Sequence, residues 1–334
     1  MRAIITGDLH LTSRKDDAYR FKVFDYLYTV PFDVLVILGD LCDAKDCHPG
    51  SLVNKVVDSM MRFAEMGKEI HLLRGNHDYS GDPDCPFFLF LRSCPNCYYH
   101  NTAQIWEIGN IRWSFFPHSR TPEHYWADMR RGKKDLGVDV TLCHQTFSGA
   151  FSESGKKLAG CDATALAGAG KIFSGDVHVP QAVGPVEYVG APYPIDFGDA
   201  YEPSMVAVEN GNGCSWSYLY PPSIRKLVLR INDPEEIEFA PAWREGDQVK
   251  VVLTLKRRDF GSWESHRRRI KLLCDRNHLT LCGLELQERT RQRIELSRGC
   301  SALPTSHEDQ FKAYCEHAGI DESDARVGRK LLGA

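Results

Sequence analysis

The chain has no apolar run long or charge-free enough to span a membrane as a helix. A cleavable leader pattern is missing too, because Asp8 and His10 interrupt the short apolar patch at the start. Internal repeats and low-complexity segments are absent, which excludes a solenoid and a disordered linker protein. Neither sign of charge dominates. The 41 Lys and Arg stand against 45 Asp and Glu, and a net charge of −4 argues against a protein that coats nucleic acid nonspecifically. No second pair answers Cys94-Pro95-Asn96-Cys97, so a structural zinc knuckle, which needs four ligands, is not expected. The 12 cysteines are scattered, and Cys42, Cys143, Cys274 and Cys282 lie in apolar runs. They read as reduced, buried thiols, which places the chain in a cytoplasm, the host's if its source is viral.

What the sequence does have is five short motifs rich in Asp, His and Asn, in order over its first half. They are Asp8-Leu9-His10, Gly39-Asp40-Leu41-Cys42-Asp43, Gly75-Asn76-His77-Asp78, Cys143-His144-Gln145 and Gly175-Asp176-Val177-His178. Nearly all follow an apolar, β-branched run, as Val34-Leu35-Val36-Ile37-Leu38 precedes Asp40. Such a run is a buried strand, so each cluster sits where a strand ends and a loop begins. Carboxylates and imidazoles gathered at strand ends from five points of the chain make a metal site. The mixture of Asp, His and Asn without thiolates suits Mn²⁺, Fe²⁺ or Zn²⁺ better than ions that prefer all-oxygen shells. Two such ions, about 3.5–4 Å apart, can hold a hydroxide and clamp a phosphate for in-line attack. Asp40 ends the most apolar strand and is the natural bridging carboxylate. Asn76 ligates without adding charge, and His77 can reach a leaving oxygen as general acid.

Helical spacing covers Phe21 to Leu27 and Leu52 to Met66, the second stopped by Gly67. Strands are expected at Ile70 to Leu73, from Ile105 through Phe115, and at Asp139 to Leu142, Lys171 to Phe173 and Val186 to Val189. Ser204 to Glu209 and Cys214 to Leu219 read as an antiparallel pair. The fold class is therefore α/β, a two-sheet sandwich flanked by helices with polar loops at one end. Pro221-Pro222 marks a boundary. Beyond it, Gln248 to Leu255, a basic helix from Trp263 to Arg276 and His278 to Leu286 form a small β-α-β unit, and Thr305 to His317 a short amphipathic helix. Charge divides along the same line. Residues 222–334 carry 21 basic and 18 acidic side chains, residues 1–221 carry 20 and 27. The basic clusters Lys256-Arg257-Arg258 and Arg267-Arg268-Arg269 are either phosphate contacts or a solvated helix face.

The ordered motifs resemble the calcineurin-like metallophosphoesterase superfamily, whose pattern is Asp-x-His, Gly-Asp-x-x-Asp, Gly-Asn-His-Asp/Glu, a lone His and Gly-His-x-His. Within it the chain is most similar to the SbcD-type DNA repair nuclease subunit, through Asp176-Val177-His178-Val179-Pro180-Gln181, Tyr188-Val189-Gly190-Ala191-Pro192 and Asp196-Phe197-Gly198-Asp199. The resemblance implies two divalent ions, Mn²⁺ foremost, with Mg²⁺ or Fe²⁺ as alternatives. One would be held by Asp8, His10, Asp40 and His178, the other by Asp40, Asn76, His144 and Asp176. His77 would protonate the leaving group, and Asp43 would be a supporting catalytic carboxylate or a strand-end cap. It implies hydrolysis of DNA phosphodiesters by a homodimer bound to an SbcC-type coiled-coil ATPase. Residues 1–221 would be the nuclease domain, 222–300 a capping domain that contacts DNA, and 301–334 a helical segment that docks the partner through Phe311 and Tyr314. The shortness of the chain suggests a viral or otherwise streamlined relative.

Position 176 departs from the family, holding Asp where the first His of Gly-His-x-His stands. A carboxylate there should favour harder ions, Mn²⁺ or Mg²⁺ over Zn²⁺. Rival readings are a protein phosphatase, a small-molecule phosphodiesterase and a metal-binding scaffold without catalysis. The first is disfavoured because Ala44-Lys45, not Arg-Gly, follows Asp43. The second leaves the basic C-terminal third unexplained, and the third leaves Asn76 and His77 unexplained. His48 is expected to be an exposed loop residue and His118 a structural one. Tyr193, Phe197 and Trp243 are more readily core or interface than base-stacking residues.

Overall fold

A computed structural model describes residues 1–121, 137–166, 169–211, 213–239 and 243–289. Its parallel strands begin with β1 (Arg2–Thr6), β2 (Val34–Ile37), β3 (Glu69–Leu73) and β4 (Cys97–His100). These four run side by side in the same direction, and an antiparallel pair, β11 (Met205–Gly211) and β12 (Gly213–Leu219), extends the sheet beyond β1. The second sheet holds β5 (Gln104–Ile108), β6 (Ile111–Phe116), β7 (Val140–His144), β8 (Lys171–Gly175), β9 (Gln181–Val183) and β10 (Val186–Tyr188). Its centre, β6-β7-β8-β10, is parallel, with antiparallel β5 and β9 at the edges.

The strands read as continuous apolar runs because both faces of each are covered. Neighbouring residues go to opposite sides. Ala3, Ile5, Val34 and Val36 meet Trp113, Phe115, Val140 and Leu142 in one buried layer. Their neighbours Ile4, Leu35 and Ile37 pack outward on helices α1 (Lys22–Leu27) and α2 (Gly50–Glu65). On α2, Leu52, Val56, Met60 and Phe63 form the buried stripe at helical spacing. The expected stop at Gly67 is a left-handed cap with φ +73°, where Lys68 N–H donates to Phe63 O at 2.9 Å and Gly67 N–H to Ala64 O at 2.9 Å. The two-sheet sandwich thus stands as the sequence indicated. Cys42, Cys143 and Cys274 are free, buried thiols, and Cys94 and Cys97 are also free.

A third sheet comprises β13 (Lys226–Ile231), β14 (Gln248–Leu255) and β15 (Thr280–Glu288), with helix α3 (Trp263–Arg276) between the last two. The β-α-β unit gains β13, a parallel partner of β14 in a stretch to which the sequence pattern gave no element. Thr280 N–H donates to Asp247 O and Arg289 N–H to Leu255 O, so β15 runs in the same direction as β14. Contacts divide the chain into Met1–Thr254 with Gly261–Gln287, and Leu255–Phe260 with Glu288–Ala334. Within the first unit, Lys226 Nζ donates to Ile195 O at 2.9 Å and lies 3.8 Å from Asp17, tying the third sheet to the sandwich. The amphipathic segment Thr305 to His317, with Phe311 and Tyr314, lies outside the described residues. Among the described residues no helix is long and apolar enough to cross a membrane.

Candidate metal centre

All five motifs meet at the carboxyl ends of β1, β2, β3, β7 and β8. The chain turns there with four non-glycine residues in the left-handed region: Asp8 (φ 53°), His10 (42°), Asp40 (51°) and Asp176 (79°). Short polar side chains tolerate this region best, though each such residue still costs about 1–3 kcal/mol. Hydrogen bonds hold the turns. Asp8 N–H donates to Gly39 O (3.1 Å), His10 N–H to Asp40 O (2.9 Å) and Asp176 N–H to Asp8 Oδ1 (3.0 Å).

Donor atoms gather in three overlapping groups, each with its atoms within 4.8 Å of one another: Asp8, His10 and His178; His10, Asp40 and His77; Asp8, Asp40 and His144. Asp40 is common to two of them, 3.5 Å from His10 Nε2 through Oδ2 and 3.4 Å from His144 Nε2 through Oδ1. The Asn76 amide faces the same place, 2.9 Å from His144 Nε2 and about 3 Å from both Asp40 oxygens. Asp176 belongs to none of the three groups. Its Oδ1 lies 3.7 Å from His144 Nε2, and its Oδ2 accepts from the Thr146 hydroxyl. Asp43 is at the rim, 3.6 Å from His10 Nδ1 and 3.2 Å from Arg14 Nη2.

The imidazoles are aimed by their outer nitrogens. His144 Nδ1 meets Leu38 O at 2.5 Å, His77 Nδ1 meets Asp43 O at 2.6 Å, and His178 Nδ1 meets the Glu153 carboxylate at 2.9 Å. Carbonyls and carboxylates only accept, so each Nδ1 carries a proton and each Nε2 is the nitrogen turned inward. Glycine makes the approach possible. A Cβ on Gly39 (φ +93°) would stand 2.5 Å from His144 Nδ1, and one on Gly75 would overlap Asp40 Oδ1. The strand-end loops therefore close on His144 with no space for a side chain.

These residues fit divalent ions. Asp8 Oδ2 is buried and without a hydrogen-bond partner among the described residues, a costly state for a carboxylate that a cation would relieve. His178 Nε2 and His10 Nε2 face each other at 3.2 Å, as two ligands of one ion do. Burial raises the pKa of Asp8, whereas at Asp40 the nearby His144, His10 and His77 outweigh burial and lower it. Burial alone would lower His144 and His178. Carboxylates reverse this, Asp40, Asp8 and Asp176 for His144 and chiefly Glu153 for His178, and both rise to about 9. Each holds a proton at neutral pH that an incoming ion must displace. The Asp43 carboxyl is held down at about 2, mainly by His10.

The sequence profile of the calcineurin-like phosphoesterases matches residues 1–180, which hold every residue of this cluster. The chain belongs to this family. It is accordingly a metal-dependent phosphoester hydrolase by family, with candidate Asp and His ligands in place. No curated protein matches the chain.

Three supporting residues of this phosphoesterase were given no role by the sequence pattern, although Asp78 lies within one of the motifs. Asp78, wholly buried, accepts from the N–H groups of Asp40 (3.1 Å), Leu41 (3.2 Å) and Gly75 (2.6 Å), stitching two ligand loops together. Burial and the Asp40 charge raise its pKa to about 6. Glu153 and Thr146 reach their partners from the chain after β7, a stretch with no motif. His118 has a structural bond to Tyr79 OH, yet its ring also stands 6.1 Å from that of His144. His48 is half-buried against Phe87 and Phe88 rather than exposed, and the buried Tyr193 hydroxyl donates to Leu9 O.

Proposed function

We propose that the protein is a DNA phosphodiesterase of the SbcD type, a nuclease subunit that processes DNA ends as a homodimer with an SbcC-type coiled-coil ATPase. Mn²⁺ is the proposed working ion. The observation that carries the diesterase reading is the position of Asp40, shared by two donor groups, with His10 Nε2 3.5 Å and His144 Nε2 3.4 Å from its two oxygens. Asp8, His10, Asp40 and His178 would hold one ion, and Asp40, Asn76, His144 and Asp176 the other. Bound there, such ions supply an activated water and neutralise charge on the phosphate.

The chain's own side chains set the rest. His77 has its Nδ1 committed to Asp43 O, which leaves Nε2 to give a proton to the departing oxygen. Asp43 acts by position, its carbonyl aiming His77 and its carboxylate facing His10. Asp176 places a hard donor where an imidazole is usual, and the Thr146 hydroxyl fixes its orientation. The DNA preference rests on the likeness of residues 176–199 to the SbcD type and on α3. On that helix Arg269 and Arg276 are paired with Glu235 and Glu238, while Arg268 and Lys271 are exposed without an ion-pair partner among the described residues. Residues 222–300 would cap the site over DNA, and residues 301–334 would bind the ATPase.

The test is Mn²⁺-dependent hydrolysis of linear duplex DNA and of an aryl phosphodiester by wild type and His77→Ala. DNA cleavage that drops about 10²–10⁴-fold in the variant is the expected result for a lost general acid. Hydrolysis of the aryl diester alone, with the ATPase partner present, would refute the nuclease assignment.

A further inference from the structure

Beside the cluster lies a cavity of about 230 Å³ lined by Arg74, Tyr79, Asp84, His118, Ser119 and Arg120, among others. It is fixed to the cluster at several points. Ser119 N–H donates to Gln145 Oε1 at 3.3 Å, next to His144, and Tyr79 follows two residues after His77. The His118 ring is edge-on to that of His144.

The charge in this cavity is unbalanced. Arg74 is 3 % exposed and lies in no ion pair among the described residues. Its Nη atoms donate to Pro83 O (2.6 Å), Asn101 O (2.7 Å) and His118 O (2.6 Å), and its Nε is buried without a hydrogen-bond partner among the described residues. Arg120 is exposed and bonds only to Ser80 O, at 2.9 Å, again with no carboxylate in range among the described residues. Both guanidinium groups lie against the Tyr79 ring, at 5.0 and 5.5 Å from its centroid, so the same ring contacts both cations. Asp84, the carboxylate of the lining, is exposed and pairs with neither. Carbonyl dipoles only partly offset a buried positive charge, and an anion is what such a site lacks.

We infer that this cavity is the subsite for a second phosphate of the substrate, one flanking the phosphate under attack and gripped by Arg120 in the field of Arg74. The inference rests on the reading of the cluster as a phosphodiesterase centre and narrows its substrate to chains bearing more than one phosphate. Guanidinium groups suit phosphate oxygens, and the space is below the 300–1,000 Å³ typical of whole-ligand pockets, enough for a phosphate with part of its sugar. Arg74 clamps three carbonyls and its loss would disturb the loop, so Arg120 carries the test.

Inorganic phosphate is titrated calorimetrically into the full chain freed of divalent ions by a chelator, as wild type, Arg120→Ala and Arg62→Ala, a cation remote on α2. One saturable site is expected, weakened about tenfold or more in Arg120→Ala, the loss of one charge-assisted hydrogen bond, and unchanged in Arg62→Ala. No saturable binding in wild type, equal binding in Arg120→Ala, or equal weakening in Arg62→Ala would overturn the subsite. In the ion-loaded protein, Arg120→Ala should also lower the kcat/KM ratio of a 5′-phosphorylated dinucleotide over bis(p-nitrophenyl) phosphate by a similar factor. Diester hydrolysis with a flat phosphate titration would sink the subsite alone. Arg120-dependent phosphate binding without hydrolysis of either diester would sink the phosphodiesterase reading and leave the anion site.

Discussion

Glu153 offers the sharpest test of how the centre is held. Its carboxylate accepts a hydrogen bond from His178 Nδ1 at 2.9 Å, with the two side chains 30 % and 20 % exposed. That bond fixes the ring plane and points Nε2 at His10. Without it, Nδ1 turns to water and the ring is free to rotate. Loss of an outer partner of a ligating histidine costs about 10–100-fold in metal affinity, or roughly 1.4–2.7 kcal/mol. Partial exposure puts the expected figure for Glu153→Ala near the lower end, since water replaces some of the bond. Glu153→Gln keeps an oxygen acceptor and should lose less.

The assay is Mn²⁺ binding by calorimetry against a competing chelator, resolving two steps. His178 belongs to the Asp8 and His10 group and not to the group around His144. Only one step should therefore weaken in Glu153→Ala. Two unchanged steps, or two steps weakened equally, would refute the argument, because the first denies the bond a role and the second points to general unfolding.

Other outcomes follow from the same geometry. Gly75→Ala forces a Cβ onto Asp40 Oδ1 and to 2.9 Å from His144 Cε1, so a stability loss of about 1–3 kcal/mol and loss of Mn²⁺ binding are expected, read by denaturant melts and calorimetry. Asp176→His should move the ion preference toward Zn²⁺ by about tenfold, measured by competition between Zn²⁺ and Mn²⁺; an unchanged preference would remove Asp176 from the ligand set. Away from the centre, burial and then His71 drive the His100 pKa down to about 2, so the unfolded chain takes up a proton near pH 6.5 that the folded chain refuses. Stability should fall as pH drops below 6.5, by about 1.4 kcal/mol per unit from this residue. Denaturant melts from pH 7 to 4.5 should show wild type losing up to roughly 2.7 kcal/mol more than His100→Phe; parallel slopes would show that His100 is protonated in the fold.

The metal donors were legible in sequence because each is adjacent to a strand whose apolar run announces itself, so five local signals add. Long-range partners leave no such trace. Glu153 is separated from His178 by 25 positions and by β8, and nothing in Ser152-Glu153-Ser154 distinguishes it from a solvated loop. Asp78 was visible as part of Gly75-Asn76-His77-Asp78, but its three accepted backbone bonds depend on how β2 and β3 end side by side. The strand β4 was missed because Cys97-Tyr98-Tyr99-His100 has mixed polarity and follows a turn at Asn96. On β13 the charged Lys226 and Arg230 hid the pattern, and Lys226 is buried with its Nζ donating to Ile195 O and close to Asp17.

Backbone strain at the centre explains why this arrangement belongs to the whole sandwich and not to its loops. Four left-handed residues at about 1–3 kcal/mol each carry a cost that no isolated loop would keep. The hydrogen bonds that enforce it cross between strand ends: Asp8 to Gly39, His10 to Asp40, Asp176 to Asp8, and Asp78 to the loops of β2 and β3. The bonds among the loops after β1, β2 and β3 join neighbours within one sheet, whereas the bond from Asp176 to Asp8 joins the end of β8 in the second sheet to the end of β1 in the first. Asp8 shows the consequence most directly. One of its oxygens is spent on the Asp176 amide from the other sheet and the second is buried without a hydrogen-bond partner among the described residues, in the group where His10, His178, Asp40 and His144 also offer donors. The fold therefore fixes both the position of the donor and its need for a cation.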